Sequence, residues 1–319
     1  MKRVLLVTCL LTLIAGQTLA QSFPTKPVTL ICPYPVATAG DRYLRSFALI
    51  ASKYIGQPVI VENKPGQLTT LGPAEMARTG RPDGYVLSLF TIMSLRVPHM
   101  ARVTWDPLRD FTYVIGLADF THGVAVKADS PFKSLMDLID YAKANPGALL
   151  YSSPGHGFTS HLVMEDLGFK SGARILRVPG GIAQSAAALI DGRIMAISDS
   201  MTDLGPYIDA GTFRLLVTFG NRRSRWKAPT AMELGFEIFS YTPLGIVAPT
   251  GMDPKLTKLL HDAFNRALDD PEYDKLLTRF EMVDLYKSSE DYAEWAVDQF
   301  RFQRALIERT IGLGTGLHR

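Results

Sequence analysis

The chain has 319 residues, 47% of them hydrophobic, and a formal charge of +3 at neutral pH. That near-balance leaves no strong field for nucleic acid or anionic lipid, and composition alone names no partner. A chain of this length exceeds the usual single hydrophobic core, so two lobes are expected.

Lys2 and Arg3 precede an apolar run from Val4 to Ala15, and Thr18-Leu19-Ala20 follows with an ending suited to a signal peptidase. The run is shorter than the roughly twenty apolar residues of a membrane span and is followed by Gly16 and Gln17, so residues 1–20 read as a cleaved signal peptide. Cys9 lies inside the run rather than at its end, which argues against a lipid-anchored N-terminus. Cleavage after Ala20 lowers the formal charge from +3 to +1 and leaves Cys32 as the single cysteine. The implied compartment is the periplasm, where one thiol forms no internal disulfide and apolar burial must supply the stability.

Beyond residue 20, short aliphatic runs alternate with amphipathic stretches, the mark of parallel sheets covered by helices. A strand is expected over 28–32. A helix over 41–55 places Leu44, Phe47, Ala48, Ala51 and Ile55 on one face, with Gly56 as its stop. A strand over 59–62, a short helix over 72–79, the Pro82-Asp83-Gly84 turn and a strand over 85–90 follow. Another strand covers 124–127, and Ser134 with Asp137 three residues later forms a capping box. The pattern repeats as strands over 149–152, 175–178, 194–198 and 213–218, with helices over 159–169 and 183–191. The last third is mainly helical, with Asp253 and Pro254 at cap and first position of one helix and Ser288 opening a long one through residue 311. In open parallel sheets ligands lie beyond the carboxyl ends of the strands. The loops this selects are 33–40, 63–71, 91–98, 153–158, 179–182 and 199–203.

At these loops the sequence resembles the Bug or TctC family, the periplasmic binding components of tripartite tricarboxylate transporters. The motifs are Pro33-Tyr34-Pro35-Val36-Ala37-Thr38-Ala39-Gly40-Asp41 with Arg45, Val61-Glu62-Asn63-Lys64-Pro65-Gly66, Pro82-Asp83-Gly84-Tyr85, Asp106-Pro107 with Asp110-Phe111, and Ser153-Pro154-Gly155-His156-Gly157-Phe158-Thr159-Ser160-His161-Leu162. Val178-Pro179, Gly192-Arg193 and Gly245-Ile246-Val247-Ala248-Pro249 complete the series, which spans Phe23 to about Phe300. The resemblance implies an α/β, two-lobe periplasmic-binding-protein fold of the Venus-flytrap, type II-like kind, with a small organic anion held between the lobes. With the two strand-helix series it places lobe one at 22–122 plus 241–319 and lobe two at 123–240. It further implies a monomer that serves membrane permease subunits, with no cofactor. A ligand-sensing receptor of a signalling system would use the same clamshell and is the alternative reading.

The chain departs from the family pattern where glycines are expected: Ala37 and Thr38 replace a glycine pair, and Gln67-Leu68-Thr69-Thr70 replaces a glycine-rich loop. Gly180 and Gly181 stand where the family has tyrosine and lysine, so room is expected on lobe two and a monocarboxylate with an apolar or aromatic body is the expected ligand. The candidate ligand-binding residues are Tyr34, Thr38, Ala39, Asp41, Thr70, Ser94, Phe158, Thr159, His161, Gly180, Gly181 and Asp199. Helix N-termini carry partial positive charge and hold anions without lysine or arginine. Asp41 also suits a helix cap, Asp199 a cap for the segment toward Leu204, and His161 a packing role. Ser160, His161 and Asp199 supply the residue types of a hydrolase, but neighbours on a helix point about 100° apart and no Gly-x-Ser-x-Gly elbow is present. The six histidines show no metal-ligand spacing. The expectation is therefore a binding protein and no enzyme.

Overall fold

Val28–Cys32 (β1) is the hub of the first sheet because its aliphatic side chains are wanted on both faces. It pairs in parallel with Val59–Asn63 (β2) on one side and Val86–Thr91 (β3) on the other. Pro243–Pro249 (β10) then joins β3 antiparallel, Phe111–Phe120 (β4) joins β10, and Met282–Lys287 (β11) closes the edge, giving the order β11-β4-β10-β3-β1-β2. Cys32 is buried in β1, and that burial pushes its thiol up to about 11. The computed structural model describes residues 23–312, so the cleavage site expected after Ala20 lies outside the described residues.

Ala39–Ile55 (α1) lays Tyr43, Leu44, Phe47, Ala48, Ala51 and Ile55 against this sheet. Gly56 stops it with φ 79°, a left-handed cap that glycine adopts without a Cβ clash. Phe47 stacks with Phe264 at 5.9 Å and meets Tyr273 edge-on at 5.8 Å, which docks Pro254–Leu268 (α8) and Pro271–Phe280 (α9) on α1. Aromatic pairs of this kind add about 0.5–1.5 kcal/mol to the burial itself. Leu71–Thr79 (α2), Ile92–Met100 (α3) and Ser289–Thr310 (α10) complete this lobe.

The second sheet runs β7-β6-β8-β5-β9: Ile175–Pro179, Leu149–Ser153, Ala196–Ser200, His122–Lys127 and Phe213–Thr218. Leu135–Ala144 (α4), Thr159–Ser171 (α5), Ile182–Ile190 (α6) and Met201–Asp209 (α7) cover it. The Ser134–Asp137 capping box is formed in full. The largest hydrophobic cores are one around Leu44 and Phe47 and one around Leu138, Tyr151 and Leu216; smaller ones cover the other faces of the two sheets, and Met100, Leu162 and Ile307 form another.

Several elements, α9 among them, had no specific counterpart in the sequence reading. Residues 91–98, expected as a loop, form most of α3, with Pro98 inside the helix, where it forfeits one N–H bond, to the carbonyl of Ser94. Pro206 sits likewise inside α7. β4 carries a nearly continuous apolar run through Gly116, and β11 is an edge strand held only by β4.

The chain leaves the first sheet at Thr121, between β4 and β5, and returns through Thr242, between β9 and β10. The two crossings are tied together. Thr242 N–H donates to Asp119 Oδ1 at 2.6 Å, and Ser240 Oγ accepts from His122 N–H at 3.4 Å while donating to Phe219 O at 3.2 Å. Burial pushes the Asp119 carboxyl up to about 7, against the lowering effect of the Thr242 and Phe120 N–H groups. Burial pushes His122 down to about 4. The signs oppose: Asp119 costs stability as pH rises from about 4, its unfolded value, towards 7, whereas His122 costs stability as pH falls from about 6.5 towards 4. Asp119→Asn keeps an acceptor for Thr242 and removes only the first effect. Its melting temperature is expected to rise more between pH 5 and pH 8 than that of the parent protein, and an equal or smaller rise in thermal denaturation would refute the assignment.

Candidate ligand cleft

The carboxyl ends of β1, β2 and β3 face those of β6, β7 and β8, and the loops that follow them meet. Leu68 approaches Gly155 so closely that a Cβ there would lie 3.9 Å from its Cδ2. Arg96 Nη1 donates to Gly157 O at 2.7 Å, and Thr242 Oγ1 donates to Thr159 Oγ1 at 2.6 Å. On the far side Asp203 of α7 accepts from the Ala39 N–H at the start of α1 and lies 3.7 Å from Arg42. Thr202 Oγ1 donates to Phe280 O beside it.

On the first wall, Asp41 is a brace. Its Oδ2 accepts from Ala37 N–H at 2.8 Å and its Oδ1 from Asn63 Nδ2 at 2.7 Å, with Arg45 Nε at 2.9 Å. Burial alone would raise this carboxyl, but Asn63, Ala37 and Arg45 together outweigh burial and hold it below its ordinary value. Thr38, the residue before α1, turns its hydroxyl back to Pro35 O at 2.8 Å. Tyr34 lies over the first turn of α1, where a Cβ on Gly40 would fall 2.3 Å from its ring. Ala39 presents its N–H to Asp203.

The loop where glycines were expected keeps a glycine-like path with other residues. Gly66, Gln67, Leu68 and Thr69 have φ of 137°, 47°, 57° and 66°, and Ala37 has φ 67°. Each left-handed non-glycine residue costs about 1–2 kcal/mol. The turn is braced by Thr70, whose N–H reaches Gly66 O at 3.2 Å and whose hydroxyl reaches Gln67 O at 2.6 Å, and by the Thr69–Thr91 hydroxyl pair at 3.0 Å. The left-handed path is thus carried by residues with side chains, held by these bonds.

On the second wall, Gly157 N–H donates to His161 Nδ1 at 3.0 Å, so that nitrogen is the acceptor and the ring proton sits on Nε2, 3.3 Å from Glu165 Oε1. Both nitrogens are engaged, and neither meets a serine hydroxyl. Phe158 precedes α5 and packs over Gly155, where a Cβ would lie 2.7 Å from its ring. Gly180 opens no room: a Cβ there would meet Ser185 Oγ at 2.9 Å and Ser152 Oγ at 3.0 Å, and these hydroxyls bond each other at 2.7 Å. Gly181, in contrast, faces open space. Asp199 is buried with Oδ1 on the Ser200 N–H at 2.7 Å; burial first and the charge of Asp203 second hold its carboxyl well above the ordinary range.

Of the buried hydroxyls without a partner, two lie in the selected loops. Ser94 Oγ, in the first turn of α3, and Ser153 Oγ, at the end of β6, are fully buried and have no hydrogen-bond partner among the described residues. Sequence reasoning found Ser94 but missed Ser153, Thr69, Thr91, Arg96 and Asp203. Ser153 opens a selected loop and was legible; Arg96 reads in sequence as a solvated charge and only the fold buries it.

Two α/β lobes joined by two crossings, with their strand-end loops face to face, define a clamshell solute-binding protein of the periplasmic-binding-protein fold. Residues 43–313 match the model of the tripartite tricarboxylate transporter family receptor, TctC, and the chain belongs to that family. A Cupriavidus necator relative described as UPF0065 protein in gbd 5'region is 42% identical over 297 residues, covering 92% of this chain and 90% of the relative. A solved periplasmic transporter is 28% identical with a TM-score of 0.83, covering 92% of this chain and 99% of that one. A protein of R. palustris solved with adipate is 25% identical with a TM-score of 0.83 over the same shares.

The strained turns generate a prediction. Ala37→Gly is expected to raise unfolding stability by roughly 0.5–1 kcal/mol, since relief of the left-handed conformation exceeds the added chain entropy. Denaturant titration reads this directly, and a fall in stability would show that the methyl group packs favourably enough to offset its strain.

Proposed function

We propose that this chain captures a small organic carboxylate between its lobes and hands it, chemically unchanged, to the membrane subunits of a tripartite transporter. The observation that carries the reading is the pair Ser94 Oγ and Ser153 Oγ, buried hydroxyls from opposite lobes with donors to spare. A carboxylate has several lone pairs for such donors, and the N-termini of α5 and α6 add backbone dipoles without a cation. The carboxylates on the walls do not oppose it, because Asp41 is occupied by Asn63, Ala37 and Arg45, and burial favours a protonated Asp199. The fold shared with the adipate-bound R. palustris protein supports the ligand class. The apolar-bodied ligand expected from Gly180 and Gly181 loses half its basis, because only Gly181 faces open space.

Titration calorimetry with adipate, malate and benzoate tests this. A hydrogen bond to a charged group is worth about 1.5–3 kcal/mol, so Ser94→Ala and Ser153→Ala should each weaken the preferred ligand about ten- to a hundredfold. Both variants should melt at or above the parent temperature, since each removes a buried group without a partner. Unchanged affinity in both variants would sink the site, and a recovered ligand of altered mass would sink the reading as a binding protein.

The same proposal places the protein in the periplasm as a monomer, cleaved after Ala20. Mass spectrometry of chain recovered from a Gram-negative periplasm should give an N-terminus at Gln21, and a chain retaining Lys2 would refute export by cleavage.

A further inference from the structure

Beside the cleft, a cavity of about 480 Å³ opens between α5, residues 237–241 and α10. We propose that it is a second binding site, for a monoanion with an apolar body whose charged head is held by Arg96. Arg96 forms the inner end of this cavity and is 1% exposed. Every partner it has is uncharged: Gln303 Oε1 at 2.7 Å from Nε, Gly157 O at 2.7 Å, Thr159 Oγ1 at 3.4 Å and Met93 Sδ at 3.8 Å from Nη1. Nη2 has no hydrogen-bond partner among the described residues, and no carboxylate forms an ion pair with this guanidinium there.

A buried cation without a counter-ion is costly, and proteins normally pair it. The chain does not use the acids at hand. Asp166, on the cavity wall, is taken by Lys170 and Arg309 at 3.5 Å each, and Lys170 also donates to Glu237 O. Glu237 itself lies exposed at the mouth. Burial pulls Arg96 down to about 9 with no neighbouring acid to restore it, and His122, the nearby imidazole, is held neutral by its own burial. An anion entering the cavity would supply the missing partner through a charge-assisted bond.

The walls specify the rest of the ligand. Leu162, Leu306 and Tyr241 line the cavity, and Phe302 and Phe239 flank it while 54% and 47% exposed, a pair of aromatics on an otherwise charged surface. A carboxylate or sulfonate head on Arg96 with a chain or ring running out between these aromatics satisfies both ends of the cavity. The cavity shares Thr159 with the wall of the cleft, but its donor is a guanidinium rather than the hydroxyls of Ser94 and Ser153.

Octanoate and 1-octanol are the probes, titrated calorimetrically into the mature protein. Octanoate is expected to bind at least tenfold more tightly than octanol. Phe302→Glu, at an exposed position of α10, should weaken octanoate at least tenfold with the melting temperature unchanged, and Arg96→Met should abolish the preference for octanoate over octanol. Ser94→Ala and Ser153→Ala should leave octanoate binding as it was, which separates this site from the cleft whatever adipate does. Absent octanoate binding, equal affinity for octanol, parental affinity in Phe302→Glu, or loss of octanoate on removing either serine hydroxyl would each overturn the proposal.

Discussion

The bond from Thr242 N–H to Asp119 Oδ1 pins together the two strands of chain that pass between the lobes. Thr242 is followed directly by β10, the strand between β3 and β4, and Asp119 stands near the end of β4, opposite Pro243. Two residues beyond β4, His122 begins β5 and pairs with Ser200 of β8. The two lobes are thus tied together within a few residues, where a carboxyl and an imidazole are buried with opposite preferences for the proton. Rotation of one lobe against the other has to be absorbed around Thr121 and Thr242, because the sheets on either side are continuous.

On the proposed reading, the cleft would hold an anion without lysine or arginine pointing into it. Helix N-termini and hydroxyls carry weak positive ends that lose little when desolvated, whereas a cation in the same position must be stripped of water. Each aspartate near the cleft is given work that removes it from the ligand's field. Asp41 shapes the first loop, and Asp203 meets the start of α1 across the gap beside Arg42. Arg96, the one deeply buried arginine or lysine among the described residues, is turned to Gln303 and the Gly157 carbonyl.

Much of this fold was legible because its signals are local. Gly56, the Ser134–Asp137 box and the Asp253-Pro254 start act within four residues of themselves, and each sits where the spacing puts it. What failed depended on partners far along the chain. Residues 91–98 read as a loop, yet most of them lie in α3, and α7 begins within the loop read over 199–203, each helix with a proline inside it. β4 and β11 exist because each completes the other's edge. The cleft was legible as a set of loops and less so as a set of atoms. Thr38, His161 and Gly180 lie at the right loops, but their polar or open sides are spent on Pro35, on Gly157 and Glu165, and on Ser152 and Ser185. Residues 37 and 67–69 take left-handed φ although none is glycine, since φ is set by the bracing bonds as well as by the residue type.

The strand order of the first sheet has a consequence for the birth of the molecule. β10 is interior to that sheet, yet it follows all of the second lobe in sequence. A chain emerging N-terminus first presents β1, β2 and β3 long before the strand that must lie against β3, and β4 has to wait for the same partner. The second lobe, continuous from His122 to Thr218 in its strands, completes its own sheet in the meantime. Until residue 249 is free, the nascent first lobe carries an open, apolar edge at β3, the kind of surface that pairs with other chains. The period of greatest exposure to aggregation, and the point where a chaperone has most to shield, is therefore the interval in which the second lobe is already folded and the first is still waiting for β10.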